Sequence, residues 1–388
     1  MDLYTMNEFF VAQETIDEYI SAIWTERYSR AGDIAIVCGA DSDLVDRLKE
    51  GTFVGLRGSK EVMQIQTQNI EKGVMRIVGV SLTQFLDERF LWAKNPDSSA
   101  ADSRVVDLTV TGKPGAVISD VVSDMVIATT PFGGLYAPAE LQWDLEEIAG
   151  LTLGDIDTSG VDERITLPIG PLYQAIAQVA EKYGVGISLY LEEAKVDTGY
   201  VLKFKTYRGV DRTYDQAVVP PIRLRPDMDS LSDIKELNSI NGYKNTVYVY
   251  YEGEITVHYE DPLNIPEGFN RRVLVTDAEG EPIGRKVTYD RRWYGGPSTY
   301  TTYVVGPAEK AAFRAQHAKD VLANHNYIRA IDGQTSPDSE FKFGEDYGLG
   351  DVIELESFTG NVSKARVTEF IRAQDKIGER EYPTISVI

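Results

Sequence analysis

The stretch Trp24-Thr25-Glu26-Arg27-Tyr28-Ser29-Arg30-Ala31-Gly32-Asp33-Ile34, continuing as Ala35-Ile36-Val37-Cys38, sets two strand-forming runs on either side of a short turn. Trp24 and Tyr28 offer large surfaces for packing, and Gly32 permits the turn. Arg27 stands where an acid across the hairpin can pair with it. Asp33 to Cys38 is an apolar run, the pattern of a strand buried against a core. Taken alone, these residues describe an ordinary β-domain whose Trp, Arg and Tyr pack its own interior.

Strand signals continue outward from this hairpin. Val62 to Ile70 and Val74 to Val80 flank Glu71-Lys72-Gly73, a tight connection with glycine where a left-handed residue is needed. The period then changes. Leu82, Phe85, Leu86 and Arg89 recur at helical spacing, with Ser81 as the N-cap. A polar, turn-rich linker follows from about Ala93 to Ser103, then two short helices over Val117 to Met125 and Leu141 to Ile148, then a break from Gly150 to Gly160. Pro171 to Tyr183 is the clearest helix. Pro171 suits its first position, Leu172, Ile176, Val179, Ala180 and Tyr183 share one face, and Gly184 closes it. Strands Ile187 to Leu191 and Tyr200 to Thr206 complete an α/β module.

Beyond Pro220-Pro221 and Pro226, β-signals return. Thr246 to Tyr251 and Glu254 to Tyr259 bracket Glu252-Gly253, and Arg272 to Thr276 and Lys286 to Tyr289 bracket Asp277-Ala278-Glu279-Gly280. A long helix runs from Pro307 to about Asn326, and strands follow at Val352 to Glu356, Ala365 to Ala373 and Tyr382 to Ile388. The chain therefore reads as α+β and β-rich. Its expected divisions are 1–92, a β-domain; 93–160, a helical and loop insertion; 161–226, the α/β module; and 227–388, a second β-domain containing the long helix. No repeat of solenoid or propeller period is visible.

The chain has 61 Asp and Glu against 39 Lys and Arg, a formal net charge of -22 over 388 residues. Such a surface repels phosphates, so tight duplex binding over a broad face is not expected. The acidity serves solubility. A sharper reading is an electronegative passage along which DNA slides without sticking. The single cysteine, Cys38, rules out an internal disulfide and a cysteine metal cluster, and its apolar run marks it as a small buried hydrophobe. No basic region followed by an apolar core opens the chain, so folding in a reducing cytosol is expected. No stretch reaches the roughly 20 apolar residues of a membrane-spanning helix, and membrane insertion is not expected.

The usual catalytic spacings are missing: no G-x-S-x-G, no G-x-x-x-x-G-K-[ST], no H-E-x-x-H. His317 and His325 share a helix face but stand roughly 12 Å apart at 1.5 Å per residue, too far to share a metal. His258 alternates within a strand and has no visible ligand partner. Paired acids suited to glycoside hydrolysis are Asp155/Asp157, Asp227/Asp229 and Glu192/Glu193, but a chain this acidic yields about ten such pairs by chance at any chosen spacing. No catalytic, cofactor-binding or metal residue is expected. Two basic clusters interrupt the acidity. Arg208, Arg212, Arg223 and Arg225 form one. Arg271, Arg272, Arg285, Lys286, Arg291 and Arg292, beside Tyr289, Trp293 and Tyr294, form the other. Both read better as complementary charge at a subunit interface than as a single-strand nucleic-acid site.

Three segments in order resemble the tail-hub family of long-tailed phages, particularly those of actinobacteria. Trp24, Arg27, Tyr28 and Gly32 are similar to that family's W-x-x-R-Y-x-x-x-G-x-F hairpin, with Ile34 where an aromatic is more usual. Gly79-Val80-Ser81-Leu82, with Leu86 and Arg89, resembles the strand-to-helix step that closes its first barrel. Gly348-Leu349-Gly350-Asp351-Val352, Ala365-Arg366-Val367-Thr368-Glu369 and Asp375-Lys376-Ile377-Gly378, ending in Tyr382-Pro383-Thr384, resemble its closing strands. From about 95 to 300 the likeness is one of style. The resemblance implies two β-barrel-like domains with α/β insertions in a homo-oligomeric, trimeric ring at the virion's tail tip, assembled in the host cytoplasm. It implies the distal tail protein, the tape measure protein and a fibre or spike as partners, and passage of DNA without specific binding. Alternatives are a tail-associated cell-wall hydrolase, a distal tail protein and a receptor-binding subunit.

Overall fold

The computed structural model describes residues 1–91, 93–94, 105–127, 148, 150–193, 200–228, 230–278, 285–292, 297–335 and 339–388. Contacts divide the chain into two compact units, Met1–Lys235 with Ile331–Ile388, and Glu236–Ala330. The expected segment 227–388 is shared between them.

The larger unit is organised by strands β1 (Leu3–Met6), β2 (Ala12–Ile16), β3 (Tyr19–Arg27), β4 (Asp33–Gly39), β5 (Phe53–Leu56), β6 (Val62–Glu71) and β7 (Val74–Ser81). They pair in the order β3-β4-β7-β6-β5-β1-β2, and the C-terminal strand Val362–Asp375 adds to β3, with Val352–Glu356 and Arg223–Leu224 beyond it. Gly378–Val387 pairs with Val362–Asp375 alone. Alternation selects the inner face. Trp24, Ile34, Ile36, Met75 and Ile77 are each at most 1% exposed and form one core with Cys38. Among the described residues these strands form one open sheet and no closed barrel. The C-terminal strands pair directly with β3, so the two halves expected to close separately share a single ladder.

A second layer packs on this unit. Helix Leu172–Tyr183 buries Leu172, Ile176, Val179 and Ala180 and ends at Gly184, whose φ of 60° is the left-handed cap expected of it. Behind it lie Gly186–Glu193 and Tyr200–Tyr207, antiparallel, with Leu151–Leu153 parallel to the latter. In the smaller unit Thr246–Tyr251 pairs antiparallel with Glu254–Tyr259 and parallel with Val273–Asp277. Val247, Val249 and Tyr251 of that sheet bury against Ala318 and Leu322 of helix Pro307–Ala323.

Several local expectations need correction. The step after Ser81 is a 3-10 helix, Leu82–Glu88, and Arg89 is extended, so Arg89 leaves the helical face. Its carbonyl instead accepts from the Leu172 amide at 2.7 Å. Pro171 precedes the helix as its cap because Gly170–Pro171 pairs with Phe90–Leu91. The helix expected over Val117 to Met125 begins at Pro114, and the long helix stops at Ala323. Val273–Asp277 does not form a hairpin with Arg285–Arg292, which pairs with the unanticipated strand Pro297–Val304. Most of the helix expected over Leu141 to Ile148, the linker from 95 to 103, Asp229, Trp293 and Tyr294 lie outside the described residues.

Candidate functional site: a buried tyrosine joint and its cleft

Tyr28 leaves the end of β3 just where the polypeptide must cross from the sheet to the second layer. Its amide donates to the Thr368 carbonyl at 2.9 Å, and its carbonyl accepts from Ile187 at 2.9 Å. The ring is 1% exposed and meets Tyr207 edge-on at 5.2 Å between centroids. The phenol lies 3.0 Å from the Gly184 carbonyl and 3.2 Å from that of Tyr207, and it accepts from the Gly209 amide at 3.2 Å. Burial pushes both phenols above their ordinary pKa, Tyr207 the further. One side chain thus joins a helix end, a strand end and a loop.

Other residues singled out by the resemblance gather here. A Cβ on Gly350 would lie 2.1 Å from the Tyr28 ring, so only glycine fits, and its φ of 88° has the same requirement. Asp351, 5% exposed, accepts from Val210 at 2.7 Å, from Arg212 Nε at 2.7 Å and from Gly348 at 3.1 Å. The Arg366 guanidinium rests 5.4 Å from the Tyr28 ring centroid and donates to the Gly184 carbonyl at 2.9 Å. Arg27 pairs with Asp33 across the hairpin at 2.5 Å and with Glu369 of the neighbouring strand at 2.6 Å.

The remaining motif residues lie apart from the joint. Trp24 is fully buried in the sheet core, and Leu82 is 7% exposed at the start of the 3-10 turn. Gly32 has no left-handed backbone. Its requirement is close approach, since a Cβ there would sit 2.2 Å from the Thr25 carbonyl oxygen. Gly79 likewise faces the Gln64 carbonyl, beside the register shift between Ile65 and Thr67. Gly378 turns the chain between the last two strands, where the Asp375 carboxylate accepts from its amide at 3.3 Å.

Arg27, Arg30, Tyr173, Glu181, Arg366 and Ser386 are among the residues lining a cleft of about 860 Å³ beside the joint. Arg30 pairs with Glu181, and Arg27 is neutralised as above. Arg366 has no carboxylate partner among the described residues.

One buried group gave no sequence signal. Glu61 is 9% exposed, and its Oε1 accepts from the Ser188 hydroxyl at 3.2 Å. Its Oε2 has no hydrogen-bond partner among the described residues. Burial, and secondarily the Glu26 charge, lift its carboxyl to about 8, so it is neutral at pH 7.

Little of the remaining chemistry is free to act. Asp157 is held by Arg208 at 2.9 Å, Asp227 by Arg225 at 2.5 Å, and Glu192 by Lys203. Arg212 is bound to Asp351, and Arg223 to Glu354 and Glu356. The first basic cluster is therefore paired with acids of its own chain. In the second, Arg271 lies over Tyr248 and Tyr259. His258 and His317 face threonine hydroxyls, and His325 faces the Val321 carbonyl. Among the described residues no group of three or more His, Cys, Asp or Glu could hold a metal ion, and no helix is long and apolar enough to cross a membrane.

The family model described as Siphovirus ReqiPepy6 Gp37-like protein matches residues 3–258. The chain belongs to that family of siphovirus proteins. Its fold is similar to the 43 kDa tail protein of prophage MuSo2 from Shewanella oneidensis, with a TM-score of 0.52 and 12% identity over 100% of this chain and 98% of that one. It is similar as well to a tail protein from Neisseria meningitidis MC58, with a TM-score of 0.50 and 12% identity over 100% and 96%. At that identity the likeness concerns the fold. No curated protein matches the chain by sequence. The Gp37-like match covers β1 through β7 and the whole second layer, and it stops within the smaller unit at His258.

Proposed function

We propose that this Gp37-like chain is a structural hub subunit at the distal end of the tail. Copies assemble as a ring, a trimer, that joins the distal tail protein to fibres or a spike. The ring surrounds the passage taken by the tape measure protein and then by DNA. The observation that carries this reading is the joint. Residues from both ends of the chain meet at Tyr28 with their polar atoms bound to one another, an arrangement that fixes geometry and leaves no group poised to turn over a substrate. Of each acid pair that a cell-wall hydrolase could use, one member is held by a cation: Asp157 by Arg208, Asp227 by Arg225 and Glu192 by Lys203. The barrel-like domains belong to this reading in one form: the open sheet edges close against neighbouring copies.

The net charge of -22 fits a lumen lined by acidic side chains, which keeps DNA from adhering. The test is immunogold labelling of purified virions, combined with imaging of the ring. Label at one end of the tail around a closed acidic ring is the expected result. A chain absent from virions, or a neutral or basic lumen, overturns it.

A further inference from the structure

Among the arginines lining the cleft beside Tyr28, Arg366 differs in being held without being neutralised. Its guanidinium is fixed by the Tyr28 ring and the Gly184 carbonyl, and neither carries a formal charge. A rigid, uncompensated guanidinium in a cleft is prepared for a carboxylate, because its side-chain entropy is already spent. The cleft disfavours a polyanion. Arg27 and Arg30 are paired with Glu369, Asp33 and Glu181, so the three arginines are balanced by three acids and only Arg366 has no carboxylate of its own among the described residues.

The ground next to the cleft is apolar. On the sheet face opposite the Trp24 core, Ala373, Ile23, Ala35 and Val78 lie side by side across four strands. Ile23 is 41% exposed and Val78 48%. Arg27 and Glu369, which line the cleft, pair on this same face, two residue pairs beyond Thr25 and Ile371, so strip and cleft share one face of the sheet with the buried Thr25 between them. Exposed aliphatics near an unpaired guanidinium have the composition of a protein contact with a charged anchor at its margin.

We propose that this strip and the Arg366 cleft are the surface on which a second copy of the chain docks, with a carboxylate of that copy on the open side of the guanidinium. The inference rests on the ring reading above and names the face it uses. Charge complementarity favours a second copy, since a chain with 61 acids presents carboxylates widely while this cleft offers one unpaired arginine. The open edges fit as well. Among the described residues Gly378–Val387, which contributes Thr384 and Ser386 to the cleft, is paired on one side only, and so is the exposed β2 at the far end of the sheet. Two unlike free edges suit a head-to-tail contact that closes a ring.

The test is sedimentation equilibrium of the full chain over a range of concentrations, with circular dichroism and thermal melting to verify folding. The wild-type mass should rise from 43.2 kDa toward a multiple of it. Arg366→Glu and Val78→Glu should each weaken self-association at least about tenfold, the scale of one lost charge-assisted bond. Val257→Glu, in the other unit, should leave it unchanged. If Arg366→Glu fails to fold, Ser386→Trp blocks the cleft while keeping the guanidinium and should have the same effect. Folded Val78→Glu and Ser386→Trp that associate like wild type overturn the assignment of this face, even with the ring intact. A wild type that stays monomeric while present in virions overturns the second copy as occupant and leaves the tail reading standing.

Discussion

The sheet unit and the inserted unit Glu236–Ala330 are held by contacts of different reach. In the inserted unit a two-residue turn joins Thr246–Tyr251 to Glu254–Tyr259, and the strands bury against a helix of the same short segment. In the sheet unit the deciding contacts are remote. Tyr28 meets Gly184 at a separation of 156 positions and Arg366 at 338. Local contacts form at low loop-closure cost and show in local sequence, whereas remote ones follow from topology. The sheet unit should therefore fail as a whole when its joint is cut, and the inserted unit should respond only to its own turns and core.

The largest expected effect comes from cutting the joint. Tyr28→Ala removes a fully buried ring and takes the phenol away from the Tyr207 carbonyl and the Gly209 amide, at a cost of about 4 kcal/mol. Denaturant unfolding with hydrogen-exchange readout should show protection lost across β3, β4 and Val362–Asp375 and unchanged over Thr246–Tyr259. Equal loss in both segments would break the comparison. Asp351→Ala comes next. It strips the acceptor from Arg212 and from two amides, and about 3 kcal/mol should go from the same elements.

Glu61 sharpens the comparison through pH. Its folded value of about 8 exceeds the roughly 4.3 of an unfolded glutamate, so folding takes up a proton between those values. Its contribution is complete below about pH 4, declines as pH rises, and levels off above about pH 8, a loss on the order of 3 to 5 kcal/mol. Glu61→Gln keeps an acceptor for Ser188 and removes the titration. The variant should gain on the order of 3 to 5 kcal/mol at pH 9, little at pH 4, and show a flatter profile between them in melting experiments. A parallel profile for variant and wild type would show that another group governs the pH response.

Legibility in the sequence follows the same division. Glu252-Gly253, Lys72-Gly73 and the helix closed by Gly184 were readable because their signals lie within a few residues of what they determine. The hairpin sequence points Arg27 at an acid across the turn, and Asp33 is there, but Glu369 on the other side comes from the far end of the chain. Tyr28, Gly350, Asp351 and Arg366 could be singled out by their pattern, yet nothing near them in sequence indicates that they meet. Glu61 carries no local signal. After Gly58-Ser59-Lys60 an acid reads as a loop residue, and its burial comes from Gly186–Glu193 crossing above it. Arg89 was misplaced because helical spacing continued past the point where a short strand pair takes the backbone.

The smallest effect separates the units most cleanly, because the same turn occurs in both. Lys72 and Gly73 have φ of 52° and 80°, and Glu252 and Gly253 have 48° and 84°, so each hairpin closes with two left-handed residues. Neither glycine is crowded; a Cβ at either position meets nothing within 4 Å. Replacement by alanine therefore tests backbone conformation alone, at about 1 kcal/mol in each turn. Gly73→Ala should lower hydrogen-exchange protection along β6 and β7 and leave the inserted unit as it was. Gly253→Ala should do the reverse. Because local cost and chemistry are matched, any difference in how far the loss spreads measures the reach of the surrounding contacts. Gly73→Ala should spread through the shared ladder to β3 and Val362–Asp375, while Gly253→Ala should stop at the sheet and helix of its own unit. A Gly253→Ala effect that reached β3 would mean that the two units unfold as one.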